Sequence, residues 1–302
     1  VKLPEIRLSS YLIVAKLSLA SLVTIIITGS LVRLTGSGLG CVDWPRCSQT
    51  KFIDISTGHA AIEQINRLFT GVVAASVVAA ALLSLRLNPR DRRLTRLSLA
   101  LVAGVLAQVL LGAVVVLSGL HPLFNMAHYL LSIVLVTFGY SLVVETRQLI
   151  VEKGDSRPLE ISSKTYALTK TFVIVLAAVL VAGTVVTGAG PHAGDETAPR
   201  FSILVNTAVR IHSVLVWVLV AVFVVLFARV RKIASEFATM GTSLEIAAAL
   251  IVAQGGLGYL QYFLGVPAGL VAIHVALSVA VWLSGLALLN RARLASITSP
   301  RH

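Results

Sequence analysis

Charge is what this chain of 302 residues has least of: 13% of it is Asp, Glu, Lys or Arg, against 57% hydrophobic residues. Soluble globular domains carry about twice that charged share, so an ordinary water-facing surface is excluded and a membrane is left as the solvent. A mean hydropathy of +0.91 agrees. Acidic residues are the scarcer sign, 13 against 25 Lys and Arg, for a net charge of +12. In a soluble protein that excess would suggest nucleic acid. Here the basic residues lie in short connections between apolar runs, where they orient helices, and no nucleic-acid partner is expected. Cysteine is reduced to Cys41 and Cys47, which excludes a cysteine-ligated cluster or a zinc finger and leaves at most one disulfide. No small-residue cleavage motif follows the first apolar run, which is expected to remain as a helix.

Eight apolar runs, near 10–32, 62–85, 97–119, 123–145, 168–189, 203–228, 244–264 and 268–290, approach the roughly 20 residues that a spanning helix needs. With the N-terminus placed inside, 18 Lys and Arg fall in inner connections and 4 in outer ones. The positive-inside rule then puts both termini in the cytoplasm and the Cys41 loop outside, in a multi-pass protein of the cell membrane with lipid around it. A shift of 146 residues carries Gln108, Gly112, Gly119, His128 and Ser132 onto Gln254, Gly258, Gly265, His274 and Ser278, and Asn66 onto His212. An even number of helices per repeat returns the chain to the same side. The expected fold is all-α, with two pseudo-symmetric four-helix bundles in parallel repeat: residues 1–145, a cytoplasmic linker over 146–167, and residues 168–302.

Ionisable side chains within a bilayer are functional suspects. A lone histidine on an apolar helix is as readily a neutral imidazole bonded to a neighbouring helix. Pairing argues otherwise, because His212 and His274 are 62 residues apart, as are Asn66 and His128 on the equivalent helices of the first half. All four positions lie ~8 to 14 Å below the outer ends of their helices at 1.5 Å per residue. Imidazoles at equal depth in one bundle can take an iron from opposite faces, and haem fits that arrangement. Glu63, Asn66 and Arg67 share a helix face. Either Glu63 and Arg67 form a self-neutralising ion pair, or Glu63 faces the cavity of Asn66 and His128 while Arg67 or Arg210 receives a haem propionate. Cys41 and Cys47 read as a disulfide, since no further thiols are available for a metal. His59, His121 and His192 read as solvated or capping, with His59 four residues before Glu63. Tyr259, Tyr262, Trp217 and Trp282 read as packing or interface aromatics.

The run from Leu34 to Cys41, Leu-Thr-Gly-Ser-Gly-Leu-Gly-Cys, followed by Trp44-Pro45, Cys47, Glu63-x-x-Asn66-Arg67, His128, His212 and His274, resembles haem A synthases of the bacterial and mitochondrial type along nearly the whole chain. The resemblance implies an oxidoreductase that converts a methyl group of haem O to formyl, giving haem A for cytochrome oxidase, with oxygen from water and electrons passed to an acceptor. It implies a substrate half holding haem O through His128, with Glu63 as catalytic carboxylate, and a second half holding haem b through His212 and His274. Haem O synthase and cytochrome oxidase assembly factors are the implied protein partners. The family has His where this chain has Asn66, which leaves the substrate iron one imidazole; the cysteine spacing and the lack of a second cysteine pair are smaller departures. A b-type electron-transfer cytochrome would need the histidines without Glu63, and a haem transporter or chaperone the bundle without a redox acceptor.

Overall fold

The computed structural model describes residues 5–151 and 161–298. The middle of the expected linker, with Lys153 and Arg157, lies outside the described residues, as do Lys2 and Arg301. Among the described residues eight helices follow in order: α1 (Leu8–Leu34), α2 (Gly58–Ser84), α3 (Arg92–Leu117), α4 (Pro122–Val151), α5 (Ser163–Ala189), α6 (Val205–Arg231), α7 (Ala234–Phe263) and α8 (Ala268–Thr298). All eight are long and apolar enough to cross a membrane, and the protein is an all-α, multi-pass membrane protein.

Most helices overrun the apolar stretches that announce them, and at α2 and α3 a capping side chain sets the start. The Thr57 side chain accepts from Ala60 N–H and starts α2 ahead of the expected residue 62. Asp91 takes the Arg93 and Leu94 amides at 2.7 and 2.9 Å and starts α3 ahead of 97. The linker expected over 146–167 is narrower, since α4 continues to Val151 and α5 begins at Ser163. The largest difference is α7, which begins at Ala234 instead of 244. Its first turns are polar in sequence but buried through Glu236, Thr239, Met240 and Gly241. Glu236 accepts from Ser162 N–H at 2.8 Å and from the Thr165 hydroxyl at 2.6 Å, and Arg229 donates to the hydroxyls of Thr165 and Ser162. That network supplies the partners a buried carboxylate requires.

The helices form two units. In the first, α1 contacts α2 and α4, and α3 contacts the same two, so α2 and α4 stand diagonally across a four-helix ring. In the second, α5 and α7 each contact α6 and α8, which makes α6 and α8 the diagonal pair. The first unit also includes Gly190–Phe201, the segment joining α5 to α6. Gly38 N–H donates to the Gly194 carbonyl at 2.8 Å, and Ala193 and Ala198 pack with Val115 and Leu120.

The repeat extends to the backbone of its hairpins. Gly119 and Leu120 have φ of 63° and 63°, and Gly265 and Val266 have 76° and 60°. Leu120 N–H closes onto the Val115 carbonyl at 2.8 Å and Val266 N–H onto that of Gln261 at 2.7 Å, the six-to-one closure of a Schellman motif. Left-handed geometry costs a branched residue such as Val266 about 1 kcal/mol or more, and both hairpins adopt it. Small residues bring the helices close: a methyl added to Gly104 would meet Leu135 Cδ2 at 2.3 Å.

Candidate functional site

Each of the four repeat-related positions on α2, α4, α6 and α8 faces a glycine on the helix before it. A Cβ added to Gly112 would lie 3.4 Å from His128 Cε1, one on Gly183 3.3 Å from His212 Cε1, and one on Gly258 3.2 Å from His274 Cε1. At Gly29 it would lie 3.9 Å from the Asn66 amide nitrogen. Behind the three histidines the glycines are shallow sockets that let a flat ring lie against the neighbouring backbone, whereas at Gly29 a methyl would make only ordinary contact with Asn66. Sequence comparison finds two of them, Gly112 and Gly258, in register at 146 residues. Gly29 and Gly183 are 154 residues apart, because the α5–α6 connection is shorter than the α1–α2 connection, and a fixed shift passes over them.

The sockets also direct the imidazole nitrogens. His212 Nδ1 lies 3.1 Å from the Val179 carbonyl, four residues before Gly183. A carbonyl only accepts, so Nδ1 carries the proton and Nε2 keeps its lone pair, the tautomer a metal requires. The residues four before Gly112 and Gly258 are Gln108 and Gln254, whose amides donate to the backbone carbonyls of His128 at 3.0 Å and His274 at 3.1 Å. Gln108 also donates to the Ser132 hydroxyl. His128 Nδ1, His274 Nδ1 and the amide oxygens of Gln108 and Gln254 are buried with no hydrogen-bond partner. In both units an imidazole Nδ1 and a glutamine amide oxygen are thus buried without a partner, an exception among buried polar groups that marks these positions out. His212 and His274 also lie within electrostatic reach of each other. Two imidazoles on diagonal helices, each backed by a glycine, fit a porphyrin held between them.

The Asn66 position differs. Its amide oxygen accepts from the Thr28 hydroxyl at 2.8 Å, which turns it toward α1. Glu63 is 5% exposed, and Arg67 Nε and Nη2 grip its Oε1 at 3.0 and 2.5 Å while Cys41 N–H donates to Oε2 at 2.7 Å. Arg67 also donates to the carbonyls of Cys41, Asp43 and Arg46. All five of its N–H groups are therefore engaged, leaving none for the propionate that sequence reasoning offered it. Arg210 is exposed on α6. Cys41 and Cys47 are joined as a disulfide and packed on Ala60, so the Glu63–Arg67 pair fastens the cystine loop to α2. A Cβ on Gly40 would lie 2.4 Å from the His59 carbonyl oxygen, and only glycine fits there.

His59 and His121 take local roles. His59 Nδ1 meets the Ser37 hydroxyl at 2.9 Å. His121 lies at the start of α4, where its ring packs on Phe124. Trp217 donates to the Tyr259 hydroxyl at 3.1 Å on the exposed face of α6 and α7, whereas Trp282 is buried.

Residues 12–61 and 52–286 match the family COX15-CtaA, described as cytochrome oxidase assembly protein. The chain belongs to that family. Curated relatives named heme A synthase align with parts of it. One from Bacillus pumilus is 32% identical over 161 residues, 50% of this chain and 52% of the relative. One from Geobacillus kaustophilus is 30% identical over 134 residues, 43% and 42%, and one from Bacillus licheniformis 28% over 169 residues, 56% and 53%. The chain thus spans about half the length of the curated relatives it matches. The resemblance stated above puts His at the position of Asn66, so Asn66 is where this chain departs from it.

Proposed function

We propose that this protein is a haem A synthase, with haem O as substrate in the first unit and a b-type haem in the second. The observation that carries the reading is the repeated socket: three histidines on helices that stand diagonally, each against a glycine, with the fourth position held by Asn66. The reaction, R–CH3 + H2O giving R–CHO with four protons and four electrons, needs an external electron acceptor of the quinone or metalloprotein class.

His212 and His274 would hold the b-type haem, and that group would supply one-electron redox chemistry when bound. The Val179 carbonyl fixes the His212 tautomer, and Gln254 anchors the His274 backbone. In the first unit His128 would hold the substrate iron from one side. The Asn66 amide, drawn toward α1 by Thr28, leaves the other side weakly met, which favours exchange of substrate and product. Glu63 keeps one acceptor position on Oε2 beyond its bonds to Arg67 and Cys41, and that position takes up a proton released beside the substrate. Placement in the cell membrane with both termini in the cytoplasm puts the cystine loop outside, and haem O synthase and oxidase assembly factors are natural neighbours for delivery and removal of haem.

Pyridine-haemochrome analysis of cells with and without the gene tests the activity: haem A should appear and haem O disappear only with it. Glu63→Gln should keep the second-unit haem and lower haem A at least tenfold, within the range for a proton-transfer group. Unchanged haem A would leave Glu63 only its ion pair with Arg67.

A further inference from the structure

Two arginines of the first unit, Arg33 and Arg200, bond the adjacent carbonyls of His192 and Pro191 and have no counter-ion among the described residues. Arg33 lies in the last turn of α1, and Arg200 near the end of the Gly190–Phe201 segment packed on that unit. Both are half-buried. Arg33 donates to the His192 carbonyl, and Arg200 to the carbonyls of Ala198 at 3.1 Å and Pro191 at 2.8 Å. Neutral carbonyls satisfy some of their N–H groups but leave both charges uncompensated. The ion pairs among the described residues are Lys51–Asp54, Arg67–Glu63 and Arg93–Glu145, none of which involves either arginine. Asp195 is turned to Thr197, whose amide and hydroxyl both bond its Oδ1. Arg33 lies within electrostatic reach of Arg200 and of Tyr129, the residue after His128. Like charges held together away from bulk water are unfavourable unless an anion joins them.

Their height in the bundle indicates which anion. Arg33 is four residues beyond Gly29, the socket facing Asn66, or about 6 Å along α1 toward the Cys41 end. A porphyrin held edge-on at the level of His128 and Asn66, with its acidic edge toward that end, brings its carboxylates to this height. We propose that Arg33 and Arg200 form the carboxylate-binding pair that receives the propionates of the haem substrate. The segment that closes onto the first unit would then supply half of that pair, in the role sequence reasoning gave to Arg67 or Arg210. This rests on the first unit being the substrate site.

The test compares haem O with its dimethyl ester, whose carboxylates are blocked, on the full chain in neutral-lipid nanodiscs, reading the absorbance change that is lost in His128→Ala. Wild type should bind haem O roughly tenfold or more tighter than the ester, as hydrogen bonds to a charged group predict. Arg33→Gln and Arg200→Gln should bring the two ligands to nearly equal affinity, with ester affinity unchanged. Arg33→Lys should keep part of the preference, and the low-spin haem of the second unit serves as the folding control. Equal affinities in wild type, or variants that lose both ligands alike, would overturn the carboxylate pair while leaving the substrate site standing. No His128-dependent binding of haem O at all would overturn the substrate site itself, and the pair with it.

Discussion

A socket of one missing methyl decides how a ring can stand in a helical bundle. A Cβ at position 258 would lie 3.2 Å from His274 Cε1, whereas one at Gly256 has nothing within 4 Å. Gly258→Ala should therefore tilt the imidazole and cost about 1–3 kcal/mol, the range for overpacking. It should lower second-unit haem content and change its low-spin EPR g values, while Gly256→Ala leaves both alone. If the two substitutions behave alike, the socket has no part in holding the ring. The Asn66 position yields an opposite expectation. Asn66→His restores a strong-field ligand across from His128, so bound haem O should pass from high-spin to low-spin in resonance Raman spectra and dissociate more slowly. Two low-spin signals in the wild-type protein loaded with haem O would mean that another side chain already fills the sixth position.

At the level of elements, apolar runs and cap residues carry different information, and only the runs stand out in a sequence this hydrophobic. The eight runs locate all eight helices because lipid demands about 20 apolar residues from each. The ends shift where a cap or a tertiary partner takes over: Thr57 and Asp91 at α2 and α3, and the buried Glu236 network at α7. His128, His212 and His274 are legible because a charged or polar group in lipid must be explained, and because the repeat pairs them. The glycines behind them are not, since glycine is common in spanning helices and its meaning depends on the ring across the gap. The connection between α5 and α6 titrates in a way that can be followed. The Thr197 hydroxyl at 2.6 Å and its amide at 2.8 Å bond Asp195 Oδ1 and hold that carboxyl below its usual range. A folded pKa lower than the unfolded one means that this stabilisation is complete above the unfolded value of about 3.9 and is lost as pH falls through the folded value. Amide exchange at 195–198, corrected for intrinsic rates, should be flat from about pH 7 to 5 and accelerate below about pH 4. Asp195→Asn should remove that pH dependence.

For the whole molecule, the excess of basic residues in alternate connections predicts both termini on the cytoplasmic side. A reporter fused after His302 should be active only if its activity requires the cytoplasm; activity confined to the outer side would reverse the topology. The four-plus-four architecture is readable from the shift of 146 residues, because a duplication keeps its register wherever neither copy has gained or lost residues. It was unreadable that Gly190–Phe201 packs with the first four helices, since that depends on which unit offers Gly38, Val115 and Leu120 as partners. This allegiance has a bearing on inheritance. A gene cut within residues 152–160 would encode two products of four helices each, and the first would have left the segment Gly190–Phe201 that packs on it, with Arg200, on the second. What began as a doubling of one bundle has become a single hereditary unit, whose halves cannot be exchanged among relatives as independent genes without one losing a piece of itself to the other.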